Sequence, residues 1–170
     1  AFDVIDQFLP PLPLKPDEVE WLRQIVVRVA PDAKVKLRDR DARGDALFPD
    51  RAEAEALLAE HTKAIDALQD RLWAERTRAL LVVLQGIDTS GKDGTVRGVF
   101  GACGPLGVSI TPFGAPTSEE LAHDYLWRVH MAAPKRGMIG VFNRSHYEDV
   151  LVAKVRKLAP EAAIEQRYEQ

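Results

Sequence analysis

A regular spacing of apolar residues predicts a long helix from Asp50 to about Arg76. Asp50 can cap its first turn, because Glu53 follows three residues later. The apolar face of this predicted helix is marked by Leu58, Ile65, Leu68 and Leu72.

Three short apolar runs follow and predict β-strands at residues 80–85, 108–113 and 138–142. The first is rich in Leu and Val and ends at Gly86, which is typical of a buried strand. Thr117 and Glu120 predict a capping box for a helix that ends near Pro134. Further helices are expected from about residue 146 and from residue 160. Because strands and helices alternate, we expect an α/β fold with a parallel sheet. The expected strand order is 108–113, 138–142, 80–85, which places Gly86 and Asn143 at adjacent strand ends.

The first 49 residues form a separate predicted region. Four prolines within residues 10–16 favour an extended arm, residues 17–30 a short helix, and residues 34–43 a loop of mixed charge. The predicted division is therefore an N-terminal region at 1–49 and a core at 50–170.

Composition narrows the class of protein. The chain has 170 residues, one Cys and a formal charge of −3, with no long apolar run and no leader pattern. We therefore expect a cytoplasmic protein that binds neither membranes nor nucleic acid. Residues 124–157 nevertheless hold seven basic against three acidic side chains, which favours a local anion site over a general polyanion-binding surface. For residues 154–157 taken alone, a solvated helix face is an equal alternative.

The strongest motif is G-x-x-x-x-G-K at residues 86–92, placed between a strand and a helix. Its backbone N–H groups and the helix N-terminus can surround phosphates, and Lys92 adds a positive charge. Asp93 stands where Ser or Thr is usual. Asp88 would repel phosphates unless a cation lies between them, so we assign Asp88 to a Mg²⁺ site.

A second group of polar residues follows the third predicted strand. In proteins with a phosphate loop of this kind, a strand next to the loop strand ends in an acidic residue directed at the metal, and Asn143 occupies that place here. Arg144 would then lie at the carboxyl edge of the sheet and could bind the transferring phosphoryl group. The alternative is a structural ion pair of Arg144 with Glu148 or Asp149.

These motifs resemble the polyphosphate kinase 2 family, whose members move phosphoryl groups between inorganic polyphosphate and nucleotides. The matching stretches are LLVVLQGIDTSGKDGTVR (80–97), APTSEELAHDYLWRVH (115–130), GMIGVFNRSHYEDVLV (137–152) and RYEQ (167–170). The sequence around Asn143 is similar to that of the family subgroup, class III, that is associated with phosphorylating both AMP and ADP. The resemblance implies a thymidylate-kinase-like P-loop fold, a Mg²⁺ cofactor and polyphosphate and adenine nucleotides as partners.

The resemblance also implies roles for individual residues. It makes Asp88, Lys92 and Arg144 catalytic, with Asp88 on the metal side. The phosphate- and nucleotide-binding set, taken with the loop itself, is Gly86, Gly91, Lys92, Asp93, Gly94, Thr95, Arg97, Asp124, Arg128 and Asn143. From spacing alone, Asp124 and Arg128 could equally be an ordinary helix pair.

Two departures from the family pattern change the expectation. The family usually has Lys at the place of Gly114, and it continues past the RYEQ stretch with another strand and a basic helical lid. We therefore expect a sheet incomplete at the C-terminus, a gene product longer by roughly 100 residues, and little turnover by residues 1–170 alone.

The phosphate-loop motif and the resemblance together imply a Mg²⁺-dependent phosphotransferase acting between polyphosphate and AMP or ADP, and we expect it to form a homo-oligomer. Two alternatives stay open: an ATP-dependent kinase of nucleosides or small metabolites, and a non-catalytic module that binds polyphosphate or nucleotides.

Overall fold

The computed structural model describes residues 50–170, and residues 52–170 form one compact unit. The arm, short helix and charged loop predicted at 1–49 lie outside the described residues.

The predicted long helix is present as α1 (Arg51–Glu75), followed by a βα alternation. Two of the later helices include a π-helical turn, where the backbone is wound more loosely than in an α-helix. In chain order the remaining elements are β1 (Leu80–Leu84), α2 (Lys92–Thr95) with the π-helical turn Val96–Phe100, β2 (Val108–Pro112), α3 (Ser118–Leu121), α4 (Trp127–Ala132), β3 (Ile139–Asn143), the π-helical turn Glu148–Val152 with α5 (Ala153–Arg156), and α6 (Glu161–Glu169).

The three strands form a parallel sheet in the order β1-β3-β2, which confirms the predicted order and the α/β fold. In register, Asn143 on the central strand is opposite Leu84 of β1 and Pro112 of β2. Main-chain bonds continue just past the strands, from Arg144 N–H to the Leu84 carbonyl and from Phe113 N–H to the Asn143 carbonyl, both 2.9 Å. The carboxyl ends of all three strands therefore meet at one edge.

The core lies between the sheet and the helices α1 and α2 with its π-helical turn. Its buried residues are Phe100, Cys103, Ile139 and Val141, and the partly buried Ile65 and Leu72 of α1 pack against them. Burial, with a smaller contribution from Asp66, raises the pKa of the Cys103 thiol, as expected for a packing residue.

The prediction that residues 80–85 form a buried strand is wrong in its burial. β1 pairs only with β3 among the described residues and is an edge strand. Leu80, Leu81 and Val83 are 38–44% exposed, whereas Val82 and Leu84 contact the core. The exposed side carries apolar side chains because one sheet face and one edge of this strand lack a neighbour within residues 50–170.

The buried face of α1 differs from the prediction in part, since Ile65 and Leu72 pack against the core as predicted. Leu58 and Leu68 are exposed, while Thr62 and Gln69 are buried. Thr62 Oγ1 donates to the Leu58 carbonyl at 2.7 Å, which satisfies its hydroxyl within the helix. Gln69 fills space beside Gly107, where a Cβ would lie 1.5 Å from its Nε2. Helical spacing of apolar residues could not reveal this, since polar side chains occupy the buried positions.

The helix predicted from Thr117 to Pro134 is interrupted. Thr117 and Glu120 form the predicted capping box at the start of α3. The chain then leaves the helix, and Asp124 Oδ1 accepts a hydrogen bond from Leu126 N–H at 2.9 Å before α4 begins. This local bond competes with a continuous helix. Asp124 and Arg128 therefore do not share one helix.

Among residues 50–170, no helix combines the length and the apolar character that crossing a membrane requires.

Gly140 of β3 should be intolerant of any side chain. A Cβ there would lie within 2.8–2.9 Å of three ring atoms of Pro134, which cannot rotate away. We expect Gly140→Ala to lower the free energy of unfolding in urea by about 1–3 kcal/mol. The control is Gly98→Ala, whose Cβ would meet only Leu58 Cδ2 at 3.8 Å; it should stay within about 1 kcal/mol of the parent. Equal stability of the two variants would contradict the close packing on Pro134.

Candidate phosphate-binding site

The loop between β1 and α2 folds around the side chain of Lys92. Lys92 Nζ donates to the carbonyls of Gly86 (2.8 Å) and Ile87 (2.7 Å) and to Ser90 Oγ (3.3 Å). Gly91 has a φ of 89°, in the left-handed region that favours glycine, and directly precedes α2. Thr95 Oγ1 donates back to the Gly91 carbonyl at 3.1 Å. The ammonium group is thus held at the loop, next to the first turn of α2.

The loop forms one wall of a cavity of about 450 Å³. The opposite wall comes from the carboxyl ends of β2 and β3, as expected for a ligand site of a parallel α/β sheet. The lining residues from the loop are 88–94, and those from the strand ends are Pro112, Phe113, Gly114, Asn143 and Arg144. Gly86 and Thr95 shape the loop through the bonds given above without lining the cavity.

Arg144 joins the two walls. Its backbone has a φ of 69°, an uncommon left-handed conformation for a residue with a side chain. One guanidinium nitrogen contacts Asp88, and the other donates to Glu148 Oε2 at 3.1 Å. These contacts, the hydrogen bond to Asp88 first, raise the pKa of Arg144. The alternative ion pair with Glu148 is present, but Arg144 also lines the cavity.

The hydrogen-bonded network behind Arg144 was not predicted from the sequence. Gln85 Nε2 donates to Glu148 Oε1 at 2.6 Å, so that Glu148 is held from one side by Gln85 and from the other by Arg144. Ser145 is fully buried, and its Oγ donates to Gln85 Oε1 at 3.3 Å. The available signal was a polar Gln85 directly after the apolar residues of β1, next to the loop.

His146 follows this network and lies partly buried. Burial lowers its pKa, with Asp149 opposing the shift. A histidine with a lowered pKa is neutral near pH 7, so His146 adds no positive charge beside Arg144 at that pH.

Asn143 and Asp93 connect the central strand to α2. Asn143 Nδ2 donates to Asp93 Oδ1 at 2.6 Å. Both side chains line the cavity. The amide at the strand end thus contacts the residue that directly follows Lys92.

Three residues of the predicted binding set lie elsewhere. Arg97 and Asp124 are exposed and do not line the cavity. Arg128 is buried beneath Phe113: its guanidinium donates to the Gly114 carbonyl at 3.0 Å and to Asp149 Oδ2 at 2.6 Å. The pair with Asp149 therefore belongs to Arg128 and not to Arg144. The structure gives Arg128 a supporting position behind the cavity wall.

The cavity offers oxygen ligands suited to Mg²⁺. The Asp88 side chain is 79% exposed at the cavity. Residues 50–170 contain no cluster of three or more His, Cys, Asp or Glu that could hold a metal by itself. Mg²⁺ usually keeps several waters and binds one or two carboxylates together with substrate phosphates, so a single exposed carboxylate fits it.

Similarity to known proteins identifies the family of this chain. The family model described as Polyphosphate kinase 2 (PPK2) matches residues 49–170. The chain belongs to the polyphosphate kinase 2 family. It is 45% identical over 142 residues to the AMP/ADP-polyphosphate phosphotransferase of Meiothermus ruber, covering 83% of this chain and 53% of the relative. It is 38% identical to the ADP-polyphosphate phosphotransferase of Rhodopseudomonas palustris, covering 75% and 44%.

A solved structure agrees with the assignment. The crystal structure of polyphosphate kinase 2 from Arthrobacter aurescens TC1 is similar with a TM-score of 0.76 and 41% identity, covering 84% of this chain and 51% of that one. The chain thus spans about half the length of the curated relatives it matches.

The buried position of Arg128 predicts that replacing it lowers the stability of the fold, whereas a residue that contacts the ligand would mainly affect binding. Arg128→Met removes one partner of a buried ion pair and leaves Asp149 without its cation. We expect the free energy of unfolding in urea to fall by about 3 kcal/mol. The control Arg97→Met replaces an exposed arginine and should change it by less than about 0.5 kcal/mol. Unchanged stability of Arg128→Met together with weaker polyphosphate binding would place Arg128 in contact with the ligand instead.

Proposed function

We propose that the protein catalyses Mg²⁺-dependent phosphoryl transfer between inorganic polyphosphate and AMP or ADP. The observation that carries the proposal is the cavity in which Lys92, Arg144 and Asp88 converge at the carboxyl edge of the sheet. The names of the relatives from M. ruber and R. palustris support polyphosphate and adenine nucleotides as substrates.

The proposed chemistry divides between positioning and charge. Phosphoryl transfer needs the attacking and leaving oxygens in line, with charge on the transferring group neutralised. Lys92 would contact the phosphates from the loop, and Arg144 would contact them from the opposite wall. Both cations have carboxylate or carbonyl partners in the structure, so phosphate oxygens would replace some of those contacts.

The charge balance of the cavity supports a requirement for a cation. Two acidic side chains, Asp88 and Asp93, and two basic ones, Lys92 and Arg144, line it and cancel formally. A polyphosphate carries about one negative charge per phosphate, so such a wall provides no net attraction. Mg²⁺ bound at Asp88 would supply positive charge to the phosphates and leave Arg144 available to them.

The test supplies polyphosphate or ATP as donor and AMP or ADP as acceptor, with and without Mg²⁺, to the gene product as it is expressed. Formation of ADP or ATP from polyphosphate, only with Mg²⁺, supports the proposal. Donation by ATP alone would indicate a nucleoside or metabolite kinase instead. Binding of polyphosphate without turnover would indicate a binding module. A cytoplasmic location and a homo-oligomeric state are further proposals, which this assay does not test.

Lys92→Ala should lower the rate of phosphoryl transfer by about 100-fold or more, because it removes a charge directed at the transferring group. Loss of its bonds to two loop carbonyls should change the free energy of unfolding by less than about 1 kcal/mol, since those carbonyls can bind water. Lys135→Ala, at an exposed lysine outside the cavity, is the control and should keep full turnover. Normal turnover by Lys92→Ala would remove the loop from the mechanism.

Gly114→Lys should strengthen anion binding. Position 114 lines the cavity, has no left-handed φ, and a Cβ there meets nothing within 4 Å. An added ammonium group would give the wall a net positive charge. We expect tripolyphosphate to bind about threefold to tenfold more tightly at low salt, with the gain shrinking as ionic strength rises. Gly98→Lys adds the same charge away from the cavity and should not change binding; an equal gain in both variants would mean a non-specific charge effect.

A further inference from the structure

Two departures from the usual phosphate-loop pattern lie in direct contact. Asp93 follows Lys92 where Ser or Thr is usual. Asn143 ends the neighbouring strand where an acid directed at the metal is usual. The structure joins these two positions, which are 50 residues apart, through the 2.6 Å hydrogen bond from Asn143 Nδ2 to Asp93 Oδ1.

We propose that Asp93 and Asn143 are a matched pair of positioning residues: the Asn143 amide holds the Asp93 carboxylate and fixes the first turn of α2 against the end of the central strand. On this proposal neither side chain is a direct ligand of the metal or of the phosphates. The pair deepens the proposed function, because it would set the position of Lys92, but the contact and its coupling can be measured without turnover.

Electrostatics explains why one departure requires the other. With Asp at position 143, two carboxylates would lie at hydrogen-bond distance and repel each other. The cations nearby are already engaged, since Lys92 bonds the carbonyls of Gly86 and Ile87 and Arg144 bonds carboxylates. An amide at 143 instead donates a hydrogen bond to the charged Asp93, which is the stronger kind of hydrogen bond.

The geometry explains why the contact can act on the loop. Asn143 is anchored by the ladder of the central strand, opposite both Leu84 and Pro112. Asp93 is the second residue of α2, next to Lys92. A bond between them therefore links the most constrained strand end of the sheet to the turn that carries Lys92.

The test is a set of exchanges in the gene product as it is expressed: Asn143→Asp, Asp93→Asn and the two together. The readouts are the affinity for tripolyphosphate with and without Mg²⁺ and the temperature of unfolding. We expect Asn143→Asp alone to weaken binding by about tenfold. The double exchange restores an amide facing a carboxylate, with donor and acceptor reversed, and should bring binding within about threefold of the parent.

Charge alone must be separated from pairing, because Asp93→Asn also removes a negative charge from the cavity. Asp88→Asn removes a charge from the same cavity without facing position 143, so it provides the matched background. In the Asp93→Asn background, adding Asn143→Asp should lower the affinity for tripolyphosphate by less than about twofold. In the Asp88→Asn background, the same exchange should lower it by about tenfold. Equal costs in the two backgrounds would overturn the pair, as would a gain of Mg²⁺-dependent affinity in Asn143→Asp, which would make position 143 a metal ligand.

Failure of this proposal differs from failure of the proposed function. Independent effects of the two exchanges, in a protein that transfers phosphoryl groups, would overturn the pair alone. Strong coupling in binding and unfolding, in a protein without turnover, would support the pair and contradict the proposed function.

Discussion

The parallel pairing of β3 with strands on both sides is the constraint on which the site depends. Because Asn143 is in register with Leu84 and Pro112, the residues that follow all three strands meet at one edge. The loop after β1, Gly114 after β2 and Arg144 after β3 thereby reach one cavity. A shift of β3 by one residue against both neighbours would turn Asn143 to the opposite face of the sheet. The hydrophobic contact of β3 with the core, through Ile139 and Val141, stabilises this register.

The sequence predicted well what depends on neighbours in the chain. The strands, the capping box at Thr117 and the turn at residues 86–92 between a strand and a helix each have local signals. The strand order followed from placing Gly86 and Asn143 at adjacent strand ends. An exposed edge at β1 was expected because the predicted sheet was incomplete, whereas the polar residues on the buried face of α1 could not be predicted in the same way. Gln69 is buried because Gly107, 38 residues away, has no side chain to occupy the space, and no spacing rule within α1 contains that information.

Arg128 and Arg144 illustrate the same limit within the site. Both are arginines near acidic residues in the basic segment, and the family resemblance implied that both contact the ligand, while spacing alone left Arg128 open as part of a helix pair. The structure gives Arg128 the buried partner Asp149 and a position under the ring of Phe113. It gives Arg144 two carboxylate partners while leaving its side chain 34% exposed at the cavity. Which arginine faces the cavity depends on how the chain between β2 and β3 packs, and the break after α3 was not visible in the apolar pattern.

The bonds that Arg144 makes within the protein determine both its orientation and how easily an anion could contact it. Arg144 is held by Glu148, and Glu148 by Gln85, so the guanidinium is oriented before any anion arrives. In the proposed reaction such preorganisation would favour charge stabilisation, because the group would not have to be ordered during phosphoryl transfer. On the proposed function, the contact of the same guanidinium with Asp88 has the opposite effect, since a phosphate would have to displace a carboxylate. A cation at Asp88 would remove that competition while Glu148 keeps Arg144 in place, so one arginine could remain oriented and still become available to the substrate.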